Sequence, residues 1–349
     1  MNQPKLTIVI PAYNEEAVLP NTLKILLKIE NNLITSKKIA LNSDLLIVDD
    51  GSSDRTWQII QTVHAQQPHI NGIKFSRNFG HQNALVAGMT AAIQTAAVVI
   101  TIDADLQDDP NAIQAMVDKY LHGAEIVYGV RNNRETDTWF KRTTANLYYA
   151  TLAGLGVQIV QNSADFRLMS KQAIETFLNY DERNLFIRGI IPKLGFHTEK
   201  VFYKRMPRMA GESKYPLKKM LAFAWDGISS LTVAPIRFIL AFGILVLFGT
   251  FMTFLLSLFH LFTLSTVVLS IWLIGGIQLV SLGVVGEYIG QLTTEVKHRP
   301  RYTVQETLIT ASAADPFQAP LFASQMTTAA QKEAPTSTKA GLKHGYQYQ

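Results

Sequence analysis

Val98-Val99-Ile100-Thr101-Ile102-Asp103-Ala104-Asp105-Leu106-Gln107-Asp108-Asp109-Pro110 is a short apolar run that breaks into a cluster of carboxylates. A run of this length, rich in β-branched residues and stopped by turn formers, reads as a buried strand. Similar runs lie on both sides of it: LTIVI (6–10), DLLIVDD (44–50) and EIVYGV (125–130). The segments between them are polar, helix-like and long enough to be crossover helices. That alternation predicts βαβ units and an α/β domain built on a largely parallel sheet. In such sheets ligands bind beyond the carboxyl ends of the strands. Three runs end in polar or acidic residues, Asn14-Glu15-Glu16, Asp49-Asp50 and Asp103/Asp105, and these are expected to converge on one edge.

Asp103 and Asp105 stand at i and i+2 on an extended segment, so their side chains point the same way. Two apposed carboxylates repel unless a cation lies between them, and hard oxygen ligands favour Mg²⁺ or Mn²⁺. A diphosphate would supply further ligands, and the metal would neutralise charge on a leaving diphosphate. Upstream, Pro11 stops the first strand and stiffens the turn, and Tyr13 offers a face on which a base can stack. In Asp49-Asp50-Gly51-Ser52-Ser53-Asp54 a carboxylate can accept from a base N–H or a ribose hydroxyl, Gly51 permits a sharp turn, and Ser53 or Asp54 can cap the following helix.

Composition narrows the field. The chain has 349 residues, 48% of them apolar, which allows one full α/β domain plus additions. It has no cysteine, which excludes disulfides, thiolate-held zinc and a thiol nucleophile. The net charge of +5 is mild and lacks the interleaved aromatics of a single-strand binder, so no nucleic-acid partner is expected. No Gly-rich dinucleotide or P-loop cradle is present. The N-terminal run is too short for a secretory signal. His64 and His69 read as surface residues, and His81 as a structural residue at a helix start.

From Phe238 to Gly286 there is no Asp, Glu, Lys or Arg. One membrane-crossing helix needs about 20 residues. Phe238–Phe259 and Leu264–Gly286 both reach that length and predict a two-helix transmembrane hairpin. Lys218, Lys219 and Arg237 precede it, Lys297, Arg299 and Arg301 follow it, and the connecting loop has no basic residue. Both chain ends and the catalytic domain are therefore expected on the cytoplasmic side of a multi-pass protein of the plasma membrane. Leu217, Leu221, Ala224, Ile228 and Leu231 mark an amphipathic helix ahead of the hairpin, with Lys218 and Lys219 placed to reach lipid phosphates. Gly286 and Gly290 hint at helix packing in a homo-oligomer. The resulting division is a catalytic domain 1–215, a juxtamembrane helix 216–235, two membrane helices within 236–290, and a disordered cytoplasmic tail 303–349.

V-I-P-A-Y-N-E-E (9–16), V-D-D-G-S-S-D (48–54) and D-A-D-L-Q-D (103–108) in this order resemble the inverting, metal-dependent family 2 glycosyltransferases of the GT-A fold. Ser76–His81, Gly129-Val130-Arg131, Ala164–Leu168 and Arg208–Tyr215 resemble, more narrowly, the polyprenyl-phosphate glycosyltransferases, among them dolichol-phosphate mannose synthases and bactoprenol glucosyltransferases. The likeness covers roughly residues 5–300. It implies that Pro11, Tyr13, Glu15 and Asp50 surround the nucleoside of a nucleotide sugar. It implies that the Asp103-Ala104-Asp105 turn and Gln107 serve the metal and diphosphate, and that Arg131, Arg142, Arg208 and Lys214 collect phosphate charge. Asp165 stands where the family has its catalytic carboxylate, although a salt bridge to Arg167 or another arginine would equally account for it. The implied reaction moves one hexose, preferentially glucose from UDP-glucose, to a polyprenyl phosphate such as undecaprenyl phosphate at the cytoplasmic membrane face. Mannose, galactose, N-acetylglucosamine and formamido-arabinose remain open. A processive polysaccharide synthase would call for a Q-x-x-R-W segment and more membrane helices, and neither is found. A non-catalytic scaffold would have no use for Asp103, Asp105 and Asp165.

Overall fold

The computed structural model describes residues 3–132, 160–183, 186–205 and 264–310, with a few residues between 239 and 252. Its strands are β1 (Leu6–Ala12), β2 (Asp44–Asp49), β3 (Ile70–Phe75), β4 (Val98–Thr101), β5 (Ile126–Arg131), β6 (Ser163–Ser170), β7 (Thr198–Tyr203) and β8 (Val304–Leu308). The helices are α1 (Leu19–Thr35), α2 (Thr56–Gln66), α3 (His81–Ala92), α4 (Ala112–Leu121), α5 (Lys171–Leu178), α6 (Ile187–Ile190) and α7 (Leu264–Val296), with a 3-10 turn at Ile191–Leu194.

All eight strands form one sheet in the order β7-β5-β6-β4-β1-β2-β3-β8. β1 pairs in parallel with β2 and β4, β2 with β3, and β5 with β7, whereas β6 runs antiparallel to β4 and β5. Six strands thus share one direction, as the alternating runs predict. The GT-A type of α/β sheet results.

Alternation along β1 shows how the sheet is covered. Leu6, Ile8 and Ile10 join the core beneath α1, α2 and α4, with Leu23, Ile60 and Met116. Val9 points the other way, into a second core with Leu85 and Met89 of α3 and Phe177 of α5. Period-2 side chains sandwiched between helices bury both faces. On the second face the approach is close. A Cβ built on Gly88 of α3 would lie 2.3 Å from Val9 Cγ1, so only glycine lets this helix rest on β1.

The apolar C-terminal region is described in part. α7 is a single 33-residue helix. Its stretch Leu273–Val296 is long and apolar enough to cross a membrane. Only scattered residues of the expected first span are described, each of them helical. The amphipathic segment Leu217–Leu231, and with it Arg208, Lys214 and Arg142, lies outside the described residues, as do residues 311–349.

One boundary needs correction. The tail expected to be disordered from residue 303 starts with structure: Val304–Leu308 is β8, antiparallel to β3, with Gly72 opposite Leu308 and Lys74 opposite Glu306. The sequence VQETL alternates too briefly to announce a strand on its own. Its partners are supplied by the sheet edge. Glu306 accepts from Trp57 Nε1 at 2.9 Å and Gln61 Nε2 at 3.0 Å, and Thr310 N donates to Asn71 Oδ1 at 3.2 Å. Just before β8, Tyr302 stacks on Phe75 with ring centres 4.9 Å apart.

Candidate active site

β1, β2 and β4 end side by side at the sheet's carboxyl edge, so topology brings the three acidic strand ends together. The β2 end organises the loops. Asp50 accepts from the backbone N–H of Phe79 at 2.7 Å and of Gly80 at 3.0 Å, tying the 76–80 loop to the strand. Asp49 accepts from Ser52 N at 3.0 Å. Burial pushes both carboxyls upward, and these hydrogen bonds oppose it. Gly51 has φ +68°, and a Cβ there would lie 2.3 Å from the Arg77 carbonyl carbon, so this turn demands glycine twice over. Asn14, at φ 55°, donates its backbone N–H to Ser52 Oγ at 2.9 Å, and its Oδ1 accepts from Ser53 N at 2.8 Å. Pro11 lies inside β1 and pairs with Val48, so the strand continues through it to Ala12. The proline ends no ladder here, and the turn starts two residues later than expected. Tyr13 is 38% exposed at the mouth, beside Glu15, whose backbone N–H donates to Thr56 Oγ1.

Asp103 and Asp165 meet through strand register. Thr101 on β4 lies opposite Arg167 on β6. Two residues beyond the end of this pairing on each strand come Asp103 and Asp165. His81, the first residue of α3, stands between them. Its Nε2 is 3.5 Å from Asp103 Oδ1 and 3.5 Å from Asp165 Oδ2. Burial disfavours the imidazolium, but Asp103 and Asp165 outweigh it and raise His81 to about 9. Reading His81 as merely structural therefore missed a site residue. The available signal was its position directly after Gly80, at a helix start behind the 76–80 loop.

Asp165 has two further cationic partners. The buried Arg167 donates from Nη2 to Asp165 Oδ1 at 2.6 Å. Arg188 of α6 donates from Nε to Oδ1 at 3.2 Å and from Nη2 to Oδ2 at 3.0 Å. Burial works against the charge of Asp165, but Arg188, His81 and Arg167 hold it well below the usual carboxylate range. The alternative of a salt bridge to Arg167 is thus realised, and Arg188 joins it.

Asp103 is unlike Asp165. Burial, together with Asp165, Asp108 and Asp105, raises its carboxyl, and His81 only partly opposes this. Its Oδ1 is buried and accepts no hydrogen bond. Asp105 Oδ1 accepts from Gln107 N at 3.2 Å, and Leu106 between them takes φ 46°. A leucine in left-handed backbone is strained, and such strain collects at functional turns. Ala104 is buried beneath this turn, its carbonyl accepting from Thr22 Oγ1 at 2.6 Å.

The phosphate-directed residues divide. Arg131 is committed to buried Asp108, with Nε at 2.8 Å and Nη2 at 2.7 Å from Oδ1, while 28% of its side chain stays exposed. Arg205 donates from Nη2 to Gln107 Oε1. Among the described residues no three His, Asp or Glu side chains form a metal cage.

The glycosyl transferase family 2 profile matches residues 7–192. The chain is 47% identical over 310 residues to the Bacillus subtilis (strain 168) protein named "Uncharacterized glycosyltransferase YkoT", covering 87% of this chain and 92% of that one. It is 34% identical over 311 residues to the "SfII prophage-derived bactoprenol glucosyl transferase" of Shigella flexneri, covering 87% and 98%. Among solved structures, the UDP complex of glucosyl-3-phosphoglycerate synthase from Mycobacterium tuberculosis is similar at a TM-score of 0.43 and 19% identity, covering 65% of this chain and 79% of that one. With its sheet, its acidic strand ends and relatives aligned over nearly their whole length, the chain belongs to glycosyl transferase family 2 and is a glycosyltransferase.

Proposed function

We propose that the enzyme transfers a hexose, with glucose from UDP-glucose the favoured donor, to a polyprenyl phosphate at the cytoplasmic membrane face, inverting the sugar linkage. The observation that carries this reading is the pair Asp103 and Asp165, bridged by His81 and in opposite electrostatic states. One carboxylate is crowded by other acids, and its buried Oδ1 accepts no hydrogen bond, with only His81 Nε2 near it at 3.5 Å. The other is saturated by cations. The names of relatives at 34–35% identity over most of the chain support the acceptor and the sugar.

The donor set around Asp103 fits a divalent cation. Two carboxylates, one with a buried oxygen that accepts no hydrogen bond, and too few neighbours to close a cage, suit an Mg²⁺ or Mn²⁺ that shares its shell with a diphosphate. Asp103 and Asp105 would hold it, with Gln107 beside them, and it would neutralise negative charge on the departing diphosphate. Tyr13 and Glu15 border the nucleoside side, and Asp50 fixes the 76–80 loop that closes it. Arg131, Arg142, Arg208 and Lys214 belong to the same reading as phosphate contacts. A phosphate acceptor is anionic near neutral pH, so attack on the anomeric carbon needs no proton removed. Asp165 suits this chemistry, because a carboxyl held so acidic is a weak base. Its role is to orient.

The test uses the full chain in detergent with undecaprenyl phosphate and a panel of nucleotide sugars, read by mass spectrometry of the lipid product. One donor is expected to give a single-hexose lipid phosphate, abolished by chelator. Asp105→Ala is expected to lower turnover by about 100-fold or more, since a lost metal ligand forfeits several kcal/mol of charge stabilisation. Full activity of that variant would remove Asp105 from the mechanism, and no lipid product from any donor would refute the reading.

A further inference from the structure

The cations around Asp165 exceed what that carboxylate needs. A buried charge must be compensated, and the buried Arg167 contributes to this: it is 3% exposed and 2.6 Å from Oδ1. The second guanidinium, Arg188, sits differently. Its side chain is 36% exposed, and it meets Asp165 with two nitrogens on two oxygens, a fork-on-fork contact that fixes the plane of the guanidinium. The short helix that carries it is itself anchored, because Ile187 N donates to Gln82 Oε1 at 3.1 Å, one residue beyond His81. A planar, partly exposed cation is thus held in the site by a buried acid and an anchored backbone.

From this geometry we infer that Arg188 is a substrate-contacting residue that receives the phosphate group of the acceptor, and that Asp165 serves to aim it. The inference rests on the phosphate-acceptor reading above. In the transfer, a non-bridging oxygen of the acceptor phosphate forms the new bond to the anomeric carbon. The bond from that carbon to the diphosphate oxygen breaks, the electron pair leaves with the nucleoside diphosphate, and no proton changes hands. Arg188 holds the attacking phosphate by charge and direction. Arginine's five donors allow it to bind a phosphate while still bonded to Asp165.

The experiment measures steady-state constants of the wild-type chain, Arg188→Ala and Arg188→Lys, with undecaprenyl phosphate as acceptor, alongside UDP affinity by calorimetry. Arg188→Ala is expected to raise the acceptor KM at least about 10-fold, the scale of one lost charged contact, while UDP affinity changes less than about twofold. Arg188→Lys keeps the charge without the fork and is expected to fall between. Farnesyl phosphate should compete with the acceptor on the wild type and much less on Arg188→Ala. Farnesol should compete on neither. Competition by inorganic phosphate equal to that by farnesyl phosphate would assign the contact to phosphate alone rather than to a lipid headgroup, and would still support the arginine's role. Asp165→Asn combined with Arg188→Ala is expected to be no worse for acceptor KM than the more damaging single change, as a coupled pair requires. An unchanged acceptor KM in Arg188→Ala, or donor and acceptor constants rising together, overturns the inference. If Arg188→Ala is not recovered folded, Arg188→Lys is judged by the same two criteria. A wild-type chain inactive toward polyprenyl phosphate with every donor would instead bring down the underlying reading.

Discussion

Glu30 is 2% exposed on α1, and its Oε1 has no hydrogen-bond partner. Burial, with Asp44 nearby, raises its carboxyl from 4.5 to about 8. His69 Nε2 stands 3.8 Å from its other oxygen. The folded protein therefore keeps a proton on Glu30 that the unfolded chain loses above its ordinary value. Stability then declines as pH rises from about 4.5 to about 8, and the loss is complete above the folded value. Glu30→Gln removes this penalty. It is expected to raise the melting temperature at pH 8.5 by the equivalent of about 2–4 kcal/mol and to change it little at pH 4.5, as measured by circular dichroism. An equal shift at both pH values would show that Glu30 is not the titrating group. Single residues were unevenly legible in the sequence. Asp103 and Asp105 stand out because two acids after an apolar run are rare without a cation. Arg188 and Arg205 carry no such mark, since what they contact lies 23 and 98 positions away.

Elements were easier to read than contacts. β1, β2, β4 and β5 follow from apolar runs whose burial is nearly complete, whereas β3, INGIKF, is interrupted by Asn71, Gly72 and Lys74 and is not among those runs. β6 was legible only through the resemblance, because its sequence SADFRLMS buries Asp165 and Arg167, which break an apolar pattern. The function of this strand is written in those two departures. α3 illustrates what spacing hides. Its helix signal is weak, and its fit depends on the absence of a side chain at Gly88. Gly88→Val would drive methyl groups into Val9 and Val48 and is expected to cost about 1–3 kcal/mol by overpacking. Because His81 opens the same helix, donor turnover should fall as well. Chemical denaturation and kinetics on one preparation check both, and an unshifted midpoint would mean that α3 can lift from the sheet without loss.

On the scale of the whole molecule, the chain leaves the sheet after β7, runs through its apolar region and returns to complete the sheet with β8. The returning segment is fastened at several points. Glu295 accepts from Arg183 N at 2.8 Å, Arg301 Nη2 donates to the carbonyls of Tyr180 at 2.8 Å and Glu182 at 3.1 Å, and Thr303 O accepts from Ser76 N at 3.1 Å. Phe75 links this segment to the site loop, stacking on Tyr302 and meeting Phe79 edge-on at 5.7 Å. A fragment of residues 1–215 lacks all of this and presents β3 as an open edge, a template for pairing with other chains. It is expected to self-associate in light scattering. The same fragment joined through a flexible linker of about 15 residues to residues 298–310 should be monomeric. A monomeric, equally heat-stable 1–215 fragment would show β8 to be dispensable.

The return of β8 also fixes an order of events during synthesis. This strand is made after α7, so the ribosome delivers the apolar region before the sheet can close. Until residue 308 emerges, β3 has no neighbour on its outer side and Glu306 cannot reach Trp57. A nascent chain stalled before that point would carry every acidic strand end of the site and still have an open edge. If α7 enters the membrane as it is made, closure of the sheet reports that insertion is over.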